Sequence, residues 1–131
     1  MAKNLRFAVI GAGRIGLVHA GSVYDTKGAE LVYIVDPIKE AAEKIASQFD
    51  CKVASDPLSV INSGEIDAVI IGSPTPTHIP LLSAAIDAGV HALCEKPIDL
   101  DIKNVDALRA KANSAKTHVA IGFNRPLDPH Y

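Results

Sequence analysis

At 131 residues, 48% of them hydrophobic, the chain is sized for one packed domain and is too apolar to be intrinsically disordered. A formal charge of -2 with no block of like charge leaves no electrostatic footprint for a nucleic-acid backbone. No apolar run reaches the roughly 20 residues of a membrane-spanning helix, and the run over residues 7–13 is too short and glycine-broken for a signal peptide, so a cytoplasmic protein that binds neither membrane nor nucleic acid is expected.

Residues 5–10 lack polar alternation and predict a strand buried on both faces, as in a parallel sheet. The strand breaks into Gly11-Ala12-Gly13-Arg14-Ile15-Gly16, after which residues 17–24 predict a helix with Ile15 and Val18 on one side, ended by Lys27-Gly28. A second strand over residues 30–36 stops at Pro37. From Ile38 the apolar residues Ile38, Ala41, Ala42, Ile45 and Phe49 recur at helical spacing opposite Lys39, Glu40, Glu43 and Lys44.

Residues 51–54 predict a short third strand, and Asp56-Pro57 an N-cap and first helical position for a small helix closed by Gly64. The apolar strand over 67–72 leads into Ser73-Pro74-Thr75-Pro76-Thr77-His78, a loop stiffened by two prolines, and then a helix marked by Leu81, Leu82, Ala85 and Ile86 that Gly89 ends. Residues 90–94 predict a fifth strand stopped by Glu95-Lys96-Pro97. A helix capped by Asp99 or Asp101, with Ile102, Val105, Leu108 and Ala112 inward, precedes a last strand over 118–123.

This alternation requires right-handed crossovers and predicts an α/β fold, a doubly wound parallel sheet in the order 3-2-1-4-5-6. Ligands of such sheets bind beyond the carboxyl ends of the strands, near the switch point between strands one and four. Gly11, Gly13 and Gly16 with Arg14 and Ile15 then form a phosphate-binding turn at a helix N-terminus. That spacing alone is weak evidence, because glycines also serve plain turns. Asp36 strengthens it: twenty positions past Gly16, it stands where a carboxylate bonds the adenosine ribose. Its rival reading is a helix N-cap or a turn acid after a strand. A carboxylate there would repel a 2′-phosphate, which favours NAD over NADP, with Lys39 nearby as a counterweight.

Lys96 at a strand end could bond a substrate hydroxyl and take part in proton transfer, or could be a solvated lysine paired with Glu95; the chemistry favours neither. His78 lines the cofactor loop, caps a helix or lies on the surface. The other histidines, His19, His91, His118 and His130, are scattered and predict no metal site. Cys51 and Cys94 have no metal-ligand or redox spacing and fit a reducing compartment.

Four stretches together carry a family resemblance: residues 8–16, the 73–78 loop, Cys94-Glu95-Lys96-Pro97 and Gly122-Phe123-Asn124-Arg125. The chain resembles the N-terminal domain of the Gfo/Idh/MocA oxidoreductases, and within them the inositol dehydrogenase branch. The resemblance implies an NAD-binding Rossmann domain over residues 1–123, with 124–131 beginning a connection to a substrate domain that the chain lacks. It implies that Ser73, Pro74 and Thr75 shape the nicotinamide ribose site, that His78 and Glu95 join the cofactor set, and that Lys96 also meets the cofactor while bonding the reacting hydroxyl of a cyclitol or sugar, myo-inositol first.

Arg125 would face that substrate, whereas Pro126 stands where the family carries a second arginine. An Asp/His pair of the following domain would handle the proton. The chain alone is therefore expected to bind NAD without turnover, and to self-associate through apolar surface near the last strand. The competing expectation is a non-catalytic NAD-binding or redox-sensing module that acts through a protein partner.

Overall fold

A computed structural model describes residues 4–95, 102–114 and 117–122. Strands β1 (Leu5–Ile10), β2 (Ala29–Val35), β3 (Lys52–Ala54), β4 (Ala68–Ile71), β5 (His91–Glu95) and β6 (Val119–Gly122) alternate with helices α1 (Arg14–Asp25), α2 (Lys39–Phe49), α3 (Pro57–Ile61), α4 (His78–Ala88) and α5 (Ile102–Asn113). All strand pairs are parallel, in the order β3-β2-β1-β4-β5-β6, as the alternation predicts.

Strand periodicity splits the core between two faces. Val9, Ile34 and Ile70 point to one side, where Ala20 and Val23 of α1 and Ala42, Ile45 and Ala46 of α2 cover them. Ala8, Ile10, Val35, Val69, Ile71, Ala92 and Cys94 share the other side with Val60 and Ile61 of α3, Leu81, Leu82 and Ala85 of α4, and Leu108 of α5. Burial on both faces explains why these strands read as unbroken apolar runs. The chain builds outward from β1 through β2 and β3, then returns to place β4 on the other flank, so the helices that follow β1 and β4 cover opposite faces and the strand order reverses between them, where such sheets form their ligand crevice.

Local chemistry sets the helix ends. Asp56 caps α3 by accepting from the Leu58 N–H at 3.1 Å and the Ser59 hydroxyl at 2.7 Å, with Pro57 at the first position. The Ser59 hydroxyl, foremost, holds the Asp56 carboxyl below the usual carboxylate range. Gly89 ends α4 in the left-handed region at φ 73°.

Two expected helix faces are corrected. Helix α1 begins at Arg14, inside the glycine motif, where Gly13 is the N-cap and its carbonyl accepts from the Leu17 N–H at 3.0 Å. Its sheet face is Gly16, Ala20 and Val23, whereas Ile15 and Val18 are 37% and 57% exposed. Small residues let the helix approach the strands, and that advantage outranks burying the larger side chains. Ile38 is 63% exposed as the N-cap of α2, because the buried stripe begins one turn later at Ala42. In α5 Leu108 is buried as expected, while the side chains of Ile102 and Val105 lie outside the described residues.

At the amino ends of the strands, Arg6 grips Asp67 through Nε to Oδ2 at 3.1 Å and through a second nitrogen to Oδ1 at 3.1 Å, and its own N–H also donates to Oδ2, at 2.9 Å. The Arg6 guanidinium holds the Asp67 carboxyl below the usual range. A carboxyl depressed in the folded state contributes stability above its unfolded pKa and loses it as pH falls through the folded value. The side chains are 42% and 35% exposed, so solvent screens the pair and its contribution is small. Asp67→Asn is expected to melt lower than wild type near neutrality, the gap closing below about pH 4. A gap that persists undiminished in acid would remove the ion pair as its cause.

Candidate functional site

The loop after β1 is closed at both ends and open in the middle. Gly11 sits at φ 105°, and a Cβ built there would lie 2.7 Å from the Gly72 carbonyl oxygen and 2.9 Å from the Ser73 nitrogen. Such a φ belongs to glycine, and the contact leaves no room for a side chain. A Cβ on Gly16 would overlap the Gly11 carbonyl oxygen. At exposed Gly13, by contrast, nothing lies within 4 Å of a built Cβ. Arg14 and Ile15 follow on the first turn of α1, whose N-terminus no side chain caps. Uncapped N–H groups beside a residue with no side chain form a cradle that fits a pyrophosphate.

Asp36 follows β2 and is tied down on both carboxylate oxygens. Oδ2 accepts from the Ala12 N–H at 2.8 Å, and Oδ1 from the Ile38 N–H at 2.8 Å. Asp36 is thus the turn acid of the rival reading and also the clasp between β2 and the glycine loop. With Lys39, Val53, Ala54 and Ser55 it lines a cavity of about 260 Å³ beyond the ends of β2 and β3. A carboxylate offers about four lone-pair sites, so two remain for ribose hydroxyls. Larger hollows, about 390 and 610 Å³, open at the amino ends of the strands around Leu5 and Asp67, away from this chemistry.

The clasp yields a direct prediction. An amide at position 36 must turn its NH2 toward either the Ala12 or the Ile38 N–H, leaving donor facing donor. Asp36→Asn is expected to cost about 1 kcal/mol in denaturant unfolding and to weaken NADH binding as well. Unchanged stability would show that the two backbone bonds carry no weight.

The loop after β4 is held from within. Residues Thr75–Thr77 form a 3-10 turn that runs straight into α4, so His78 is the first residue of that helix. The Thr77 hydroxyl donates to the Pro74 carbonyl at 2.6 Å, and its Oγ1 lies 2.6 Å from Ser73 Oγ. Because a carbonyl only accepts, the Thr77 proton is committed to Pro74 and Ser73 must donate to Thr77. Ser73 Oγ therefore meets any ligand only as an acceptor. His78 is 2% exposed, and its Nε2 lies 2.6 Å from the Ser73 carbonyl oxygen.

The structure thus packs Gly11 against both Gly16 and Ser73 and ties Asp36 to the same loop, with Gly13, Arg14 and Ile15 at its mouth and Pro74 and Thr75 in the neighbouring loop. Glu95 ends β5 in register with Gly122 of β6; its side chain, and all of Lys96 and Arg125, lie outside the described residues. The donors to Asp36, the backbone N–H groups of Ala12 and Ile38, leave no mark in composition, so the sequence does not reveal them. Burial pushes the Cys51 thiol up to about 11, which disqualifies it as a neutral-pH nucleophile. Among the described residues no His, Cys, Asp or Glu group could hold a metal ion, and no helix is long and apolar enough to cross a membrane.

The model of an oxidoreductase family with an NAD-binding Rossmann fold, Gfo/Idh/MocA, matches residues 5–123. An inositol 2-dehydrogenase of Rhizobium meliloti is 42% identical over 128 residues, which are 98% of this chain and 38% of that protein. Among solved structures, a myo-inositol dehydrogenase from Corynebacterium glutamicum is 44% identical with a TM-score of 0.86, over 96% of this chain and 38% of that one. A scyllo-inositol dehydrogenase from Lactobacillus casei with bound NAD(H) and scyllo-inositol is 27% identical with a TM-score of 0.85, over 97% and 38%. The chain spans about 38% of the length of these relatives. By this match the chain belongs to the Gfo/Idh/MocA oxidoreductase family and carries its NAD-binding Rossmann fold.

Proposed function

We propose that the chain is the cofactor half of an NAD-dependent dehydrogenase that oxidises a hydroxyl of a cyclitol or sugar, with myo-inositol as the first candidate. The observation that carries this reading is the glycine cradle packed on Gly72 and Ser73 at the β1/β4 crevice, with Asp36 clasped to it. The dehydrogenase names of the relatives support the substrate class. NAD, when bound, supplies the hydride acceptor.

The chain's own residues divide the remaining work. Gly11 and Gly16 set the turn, and Gly13, Arg14 and Ile15 present open backbone to the pyrophosphate. Asp36 bonds the adenosine ribose and, pinned by two N–H groups, cannot swing aside for a 2′-phosphate, which selects NAD over NADP. Ser73 accepts a hydrogen bond from the nicotinamide end, between Pro74 and Thr75, and Glu95 borders that end. Lys96, next in sequence after the end of β5, bonds the reacting hydroxyl and steadies its oxygen as the proton leaves, while Arg125 orients the polyol. The chain acts in the cytoplasm, in keeping with Cys51 and Cys94, whose positions in the sequence have neither metal-ligand nor redox spacing.

Turnover, in this proposal, needs the remaining length that the relatives possess. Titration with NADH is expected to saturate, and adding NAD with myo-inositol to yield no NADH until the chain is extended by that length. Robust turnover by the 131-residue chain would overturn the two-part account. Binding of NADH with no turnover in the extended chain would favour a non-catalytic NAD-binding module. Self-association is proposed too, and a monomer by light scattering at every concentration would refute it.

A further inference from the structure

We propose that His78 is a positioning residue that presets the nicotinamide-side loop by holding the Ser73 carbonyl; this rests on the NAD-binding reading above. His78 is the polar residue found buried among the described residues, at 2% exposure, and burying an imidazole is costly unless it is bonded. Its Nε2 lies 2.6 Å from the Ser73 carbonyl oxygen, and since that oxygen only accepts, Nε2 carries the proton.

The loop needs such a hold because of its prolines. Pro74 and Pro76 have no N–H, so the backbone between Ser73 and Thr77 has lost two of its donors. What remains is anchored by its carbonyls: Thr77 binds that of Pro74 through both its hydroxyl and its N–H, at 2.6 and 2.9 Å, and His78 binds that of Ser73. Ser73 in turn adjoins Gly11, whose built Cβ would stand 2.9 Å from the Ser73 nitrogen. One buried ring on α4 thereby sets where the loop after β4 stands against the pyrophosphate loop. Release of that hold leaves the adenosine and pyrophosphate contacts in place and misplaces the surface offered to the nicotinamide half.

The test compares NADH with ADP, which lacks the nicotinamide half, on the 131-residue chain and on two variants. In His78→Gln the side-chain N–H lies as many bonds from Cα as Nε2 does; in His78→Asn it falls one bond short. His78→Asn is expected to bind NADH about tenfold more weakly and ADP as wild type does, while His78→Gln stays within about threefold of wild type for both. An H78N chain that binds NADH like wild type, or that loses NADH and ADP equally, overturns the proposal. If H78N does not fold, His78→Gln carries the test: it is expected to keep both affinities within about threefold of wild type, and a folded H78Q chain that loses NADH and ADP equally overturns the proposal. A wild-type chain that binds neither nucleotide overturns the NAD reading itself, and this inference with it.

Discussion

Gly13→Ala is expected to weaken NADH binding in a chain of near wild-type stability, whereas Gly16→Ala and Gly11→Ala are expected to destabilise the fold severely. The three glycines share one motif and do different work. A methyl at Gly13 meets nothing within 4 Å, so its cost is confined to a weaker N-cap, about 1 kcal/mol at most. That methyl stands where the cradle is open, and NADH affinity is expected to fall at least about tenfold.

At Gly16 the methyl overlaps the Gly11 carbonyl oxygen, and because both partners are backbone, α1 or the loop must move. At Gly11 the φ of 105° and the 2.7 Å approach to Gly72 penalise any side chain twice. About 3 kcal/mol or more is expected for each, a large part of the 5–15 kcal/mol that holds a typical domain together. Thermal melts alongside fluorescence titration separate the classes. A Gly13→Ala chain that binds NADH normally would show that the cofactor does not use this opening.

Leu82→Ala is expected to lower stability by about 3 kcal/mol and the melting midpoint by roughly 10 °C. Leu82 is 0% exposed on α4, in the same cluster as Ile71 at the end of β4 and Ile61 of α3. Its truncation leaves a void beneath the helix that carries His78, so the loss reaches the loop as well as the core. Leu58, 48% exposed on α3, is the control, and Leu58→Ala should change stability by less than about 0.5 kcal/mol. Equal effects at the two sites would mean that α4 is not seated as described.

The strand order was legible because each strand is buried on both faces and so shows as an apolar run bounded by Gly, Pro or Asp. Asp56 and Gly89 were legible for the same reason, since caps require particular residue types. The face of α1 was not. Hydrophobicity marks Ile15 and Val18 as core, yet the sheet accepts Gly16 and Ala20 because close approach demands small residues there. The double grip on Asp36 was hidden because its donors, Ala12 and Ile38, contribute only backbone. His78 was left between loop, cap and surface, since a single buried histidine carries no periodicity to betray it. Lys96 and Arg125 rest on sequence and resemblance, being outside the described residues.

The placement of β1 beside β4 bears on the order in which the protein can assemble. β1 is made before the sheet's other five strands and ends in the centre of the sheet, where Phe7 pairs with Ala68 and Ile10 with Ile71 across some sixty residues of intervening chain. Until β4 exists, a nascent chain can join β1 only to β2, and the Gly72–Ser73 backbone that shuts one side of the glycine loop has yet to be synthesised. The nucleotide crevice is thus a late product of distant pairing, which slows folding. During synthesis the half-sheet β1-β2-β3 must stand with the open flank of β1 unpaired, a stage at which strand edges invite aggregation.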